Sequence, residues 1–178
     1  MSILTHKSLF ARSCRTWAEG ESAPPSKRQK YPADGTPTVY LAYVFEDMSM
    51  AGTVADALGS YGVDIYADWS AAQLTDLDEK AAERLRYQLG LSDAWLVALI
   101  SERAKDTDRL LWVLELARET MARRQYAVLP VRYESMGWSL PTSFAAFPRL
   151  EARGSDLEIV WPDSPYHLPL CRWLRPSA

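Results

Sequence analysis

The chain is poor in the residues that most often announce chemistry. Its two cysteines, Cys14 and Cys171, stand near opposite ends in no CxxC or Cys/His cluster, so neither a zinc site nor a disulfide framework is expected. Its two histidines, His6 and His167, sit beside no evident partner, which argues against a Ser/His/Asp or Cys/His triad. Its eight glycines never fall into GxGxxG or GxxxxGKS/T, which removes the usual dinucleotide fingerprint and the P-loop. No apolar run approaches the roughly 20 residues that cross a bilayer. Basic charge is not in excess either. A net charge of -3 and a pI near 5.4 argue against nucleic acid or an anionic membrane as the main partner. The N-terminal "MSILTHKSLFARSCR" is basic but lacks the continuous apolar stretch of a secretory signal. The expectation is a soluble protein of a reducing cytoplasm.

What the chain does have is apolar residues, 48% of the total, enough for one globular domain with a real core. "GESAPPSKRQKYPADGTP", Gly20 to Pro37, is rich in Pro, Gly, Ser and charge and reads as a linker. A short helix over Lys7 to Trp17 is expected ahead of it. Residues 1–37 thus read as an N-terminal helix and flexible linker, and 38–178 as the folded domain.

From Thr38 onward, apolar strands and amphipathic helices alternate. Strands are expected over Thr38 to Val44, Val63 to Ala67, Ala94 to Ile100, Tyr126 to Val131 and Leu157 to Trp161. Between the first two lies a helix with Ala51, Val54, Ala55 and Leu58 on one face, closed by Gly59 and Gly62. Further helices are expected over Leu77 to Leu89, Leu110 to Arg123 and His167 to Leu174. This order predicts an α/β fold, an open five-stranded and mainly parallel sheet with helices on both faces. Such sheets bind ligands beyond the carboxyl ends of their strands, where the strand order reverses. The stretches to inspect are therefore Phe45 to Asp47, Asp68 to Ser70, Ser101 to Asp108 and Arg132 to Trp138.

With histidine and cysteine chemistry set aside, carboxylates and aromatics remain. On a helical wheel, Leu110, Val113, Leu114, Ala117 and Met121 form the buried face of the third helix. Glu115 falls off that arc, near Trp112 and Glu119. Alone it reads as a solvated charge at the helix edge. Trp112 points away from the core on the same wheel, and a large aromatic left there usually has a partner. Asp68 either caps its loop or faces a ligand; Trp69 either plugs the core or stacks on a flat ring. Asp47 reads as an N-cap for the first helix, with Glu46 exposed.

"VYLAYVFED" followed by an amphipathic helix, then "YGVDIYADW", "SDAWLVALIS", "WVLELA" and "YAVLPV", resembles a bacterial Toll/interleukin-1 receptor (TIR) domain. Within that family it looks like the TIR-like proteins of antiphage defence, such as those of Thoeris systems. The resemblance covers about Val39 to Val131, and "MSILTHKSLFARS" is similar to the short N-terminal helix that often precedes such domains. It implies a flavodoxin-like TIR fold. It also implies NAD+ glycohydrolase or ADP-ribosyl cyclase chemistry on NAD+ as substrate, with no metal and no bound cofactor. Glu115 in "WVLELA" matches the family's catalytic Glu. Tyr43, Phe45, Asp68, Trp69, Ser70 and Trp112 are the matching candidates for substrate binding, with Phe45 and Trp69 stacking on nicotinamide or adenine. Ala42-Tyr43-Val44 stands where the family often has Ser-Tyr-Ser, and Trp112 precedes Glu115 by three residues where the family's aromatic commonly stands at four or one. The resemblance further implies self-association through TIR–TIR contacts and a possible phage-derived activator. Two other readings stay open: a non-catalytic assembly module, and an enzyme like the nucleoside deoxyribosyltransferases.

Overall fold

The computed structural model describes residues 3–5, 37–69, 79–90, 94–104, 107–121, 125–133, 137–153 and 156–175. The expected helix over Lys7 to Trp17 lies outside them, as does all of the linker but Pro37. In chain order the first elements are β1 (Leu4–Thr5), β2 (Thr38–Ala42), α1 (Met48–Gly59), β3 (Asp64–Trp69), α2 (Glu79–Leu89) and β4 (Ala94–Ser101). Then come α3 (Thr107–Thr120), β5 (Tyr126–Arg132), β6 (Arg149–Arg153), β7 (Asp156–Val160), β8 (His167–Pro169) and α4 (Leu170–Trp173).

Successive side chains of a strand point to opposite faces, and here both faces are apolar. Val39, Leu41 and Tyr43 enter one core, while Tyr40, Ala42 and Val44 enter the other. Trp95, Val97 and Leu99 of β4 join the first, Leu96, Ala98 and Ile100 the second. Strands of this kind need cover on both sides. The first core is closed by Met50, Ala51, Val54, Ala57 and Leu58 of α1 with Leu170 and Trp173 of α4. The Trp95 Nε1–H donates to the carbonyl of Trp173 at 3.1 Å, which fastens α4 to β4. The second core is closed by α2 and by Leu110, Val113, Leu114, Leu116 and Ala117 of α3, which includes the buried face expected from the wheel. Burying a Leu or Val contributes roughly 1.5–3 kcal/mol relative to exposure, so packing, not propensity, holds α3 in place. Gly62 takes a φ of +77° where α1 turns into β3, a conformation that favours glycine.

The strands form one sheet in the order β3-β2-β4-β5-β6-β7-β8, with β1 paired to β5. β3, β2, β4, β5 and β6 run parallel; β6, β7 and β8 are antiparallel. The architecture is α/β, a mostly parallel sheet flanked by helices. The sheet has eight strands rather than the five expected. The additions are β1, β6 and β8. β1 and β8 have two and three residues, too short to show a period, and β6 reads "RLEAR", whose charge hides it. β8 also shortens the expected last helix, which begins at Leu170 after an extended Pro169. Among the described residues no helix is long and apolar enough to cross a membrane.

Candidate functional site

From β2 the chain moves outward to β3, then crosses back past β2 to β4. β2 and β4 are therefore neighbours whose outgoing connections diverge, and a crevice is expected at their carboxyl ends. Asp47 and Ser101 meet there. Phe45–Asp47 forms a single 3-10 turn in which the Asp47 N–H donates to Val44 O at 2.9 Å. This turn carries the Asp47 side chain inward, and it is fully buried. Ser101, the last residue of β4, donates from Oγ to Asp47 Oδ1 at 2.6 Å and accepts the Arg103 N–H at 3.0 Å. Tyr133, just past β5, donates from Oη to the same Asp47 oxygen at 3.3 Å. The Tyr133 N–H is held by Glu102 Oε1 at 3.0 Å. The Arg103 guanidinium lies over the Tyr133 ring, 3.7 Å from its centroid. One buried carboxyl thus ties together the segments that follow three adjacent strands.

Burial pushes the Asp47 carboxyl up from the ordinary carboxylate range, and the Glu46 charge adds to the rise. The hydrogen bonds from Ser101 and Tyr133 and the charge of Arg103 oppose it. Asp47 Oδ2 has no hydrogen-bond partner. The Tyr133 phenol is pushed up to about 12 by burial, then by the charge and hydrogen bond of Asp47. Asp47 does occupy the N-cap position of α1, but it makes no side-chain cap bond. The expected capping role is therefore corrected: Ser101 and Tyr133 take the carboxylate that a cap would have offered to the helix.

The residues nominated from the sequence fall in different places. Phe45 stands at the carboxyl end of β2 with 62% of its surface exposed, and Glu46 beside it is exposed too. Tyr43 is buried in the first core. Trp112 is half-buried against the second core, on the other face of the sheet, so it does not point away from the core as the wheel suggested. Asp68 and Trp69 end β3, with Trp69 in register with Ala42, but their side chains lie outside what is described, as does the whole of Ser70. Glu115 is on α3 with 38% of its side chain exposed, and it pairs with Arg118 one turn on. At 1.5 Å per residue it lies about 12 Å along the helix from Thr107, away from the carboxyl edge. Arg118 lines an open groove of about 630 Å³ with Tyr126, Pro148, Trp161 and Asp163, at the amino ends of β5 and β6. Phe45 and the Asp47 cluster thus share one edge of the sheet, and Glu115 lies just past the middle of α3, away from that edge.

Glu102, Arg103 and Tyr133 are not distinguished in the sequence from the stretches that hold them, which follow expected strands, and Ser101 is marked there only as the residue after the third strand. Their position was the available signal. What brings them together is sheet order, across separations of 54 residues for Ser101 and 86 for Tyr133. His167 has a partner after all: its Nδ1 lies 2.7 Å from Glu158 Oε2, across the β7–β8 ladder. No group of three or more His, Cys, Asp or Glu able to hold a metal is present among the described residues. Compared with protein-family models the chain matches none, and no curated protein matches it.

Proposed function

We propose that the chain is a flavodoxin-like TIR domain that cleaves NAD+ and so produces a signal in bacterial antiphage defence. One observation supports this most: the parallel strands β3-β2-β4-β5-β6 run in the doubly wound order 2-1-3-4-5, with an exposed aromatic, Phe45, at the switch point. In this reading a nucleotide ring stacks on Phe45. The bond between the anomeric ribose carbon and the nicotinamide nitrogen breaks, and its electron pair leaves with nicotinamide. The ribose carbon becomes oxocarbenium-like, and the Glu115 carboxylate stabilises that charge through the sugar. Water, losing a proton, or a nucleophile of the same nucleotide then adds to the carbon, giving ADP-ribose or a cyclic isomer.

Glu115 lies about 12 Å along α3 from the edge that holds Phe45, so in this reading copies associate to complete the site between them. Nicotinamide release should then rise more steeply than protein concentration. The experiment is nicotinamide release from NAD+ across a range of concentrations, with wild type and Glu115→Gln side by side. Release by wild type alone supports the reading. Equal release from both removes Glu115 from the mechanism. No release at any concentration turns the reading toward a non-catalytic assembly module. The Glu115–Arg118 pair favours that alternative, because a half-exposed pair one turn apart is ordinary for a solvated helix face.

A further inference from the structure

We propose that Arg103 is the anion-binding residue of the sheet's carboxyl edge, taking the phosphates of a nucleoside diphosphate whose ring stacks on Phe45. The inference rests on the reading of a nucleotide substrate and adds to it the group that recognises the charge.

Arg103 is exposed, and among the described residues it makes no ion pair. A surface arginine without a carboxylate partner usually ranges over many rotamers, and ordering it on a ligand costs conformational entropy. Here it is already held. Its backbone N–H is bound by Ser101 Oγ at 3.0 Å, and its guanidinium lies flat over Tyr133 at 3.7 Å. The Tyr133 hydroxyl is in turn bound to the buried Asp47. Stacking occupies the face of the guanidinium and leaves its N–H donors, which lie in the plane, directed outward. A planar fork of donors suits phosphate oxygens in a bidentate arrangement. Among the described residues the neighbouring carboxylates are otherwise placed: Asp47 is buried at the Tyr133 hydroxyl, Glu102 accepts from the Tyr133 N–H, and Glu46 makes no ion pair with Arg103. The cation therefore stands ready at the switch point, where doubly wound sheets hold their ligands.

The test is isothermal titration of the full chain with ADP-ribose and, separately, with adenosine, which carries the same base and no phosphate. Wild type and Arg103→Met are compared, with circular dichroism to verify the fold of the variant. The expected result is tighter binding of ADP-ribose than of adenosine by wild type. Arg103→Met should weaken ADP-ribose about tenfold or more while leaving adenosine unchanged, since a charge-assisted bidentate contact is lost. Equal binding of ADP-ribose by both proteins overturns the inference and leaves the proposed function standing. Loss of both ligands in a folded Arg103→Met also overturns it, because the residue would then shape the site and not read charge. If wild type binds neither ligand, the inference falls together with the nucleotide reading.

Discussion

Ser101 Oγ and Asp47 Oδ1 lie 2.6 Å apart, joining the carboxyl ends of β4 and β2 inside the protein. The bond is short and ends on a carboxyl group that, among the described residues, forms no ion pair. Ser101 also accepts the Arg103 N–H, so one hydroxyl serves both the buried carboxyl and the backbone two residues on. Ser101→Ala removes both bonds and leaves Asp47 with Tyr133 alone. A loss of about 2 kcal/mol is expected, since stranding a buried polar group costs about 1–3 kcal/mol. Urea denaturation of the two proteins measures it. A difference below about 0.5 kcal/mol, the range of neutral surface changes, would show that the bond does not hold the edge together.

The pH dependence of stability follows from Asp47. Its folded-state pKa is raised by burial, so folding favours the protonated form. The contribution is fully present below the ordinary carboxylate pKa and is lost as pH rises through the raised folded value. Asp47→Asn keeps the acceptor oxygen but cannot ionise. Its stability relative to wild type should therefore improve from pH 4 to pH 7. Denaturation midpoints of both proteins at the two pH values give the comparison, and a difference that stays constant or runs the other way would contradict the shift.

Phe45 packs little of its ring, with 62% exposed. Phe45→Ala should leave the denaturation midpoint within about 0.5 kcal/mol of wild type. Nucleotide affinity should fall about tenfold, because stacking of a base on an aromatic ring is worth about 1–3 kcal/mol. Titration with adenosine separates the two effects. A large loss of stability with unchanged binding would make Phe45 a structural residue.

Glu115 offers a parallel separation on α3. Its pair with Arg118 is half-exposed and contributes about 0–1 kcal/mol at most. Glu115→Gln should therefore fold as stably as wild type. Nicotinamide release should nevertheless fall about a hundredfold or more if the carboxylate stabilises the developing charge. A variant that folds normally and retains its release rate would assign Glu115 to the solvated helix face.

Much of the fold was legible locally. Val39, Leu41 and their alternates in β2, β4 and β5 are apolar on both faces, which already demands helices on two sides. The wheel of α3 placed Leu110, Val113, Leu114, Ala117 and Met121 in the core, and all five are buried. The same wheel left Glu115 off that arc, where its side chain is partly exposed. It failed for Trp112, because an indole on the edge of a helix can fold back over the second core, and a wheel records direction but not reach.

The sequence by itself determined the strand and helix alternation, the two-sided core and the chain segments that follow the strands. These are encoded by periods of 2 and 3.6 residues, which act over a single element and need no knowledge of its neighbours. Only the tertiary structure decided that β6, β7 and β8 extend the sheet in the antiparallel sense, and that β1 joins it at β5. It also decided that Asp47 turns inward to Ser101 and Tyr133 instead of capping α1. The physical reason is the same in each case. A short strand or a buried carboxyl is stable only with a hydrogen-bond partner, and those partners come from strands that become adjacent when the sheet assembles.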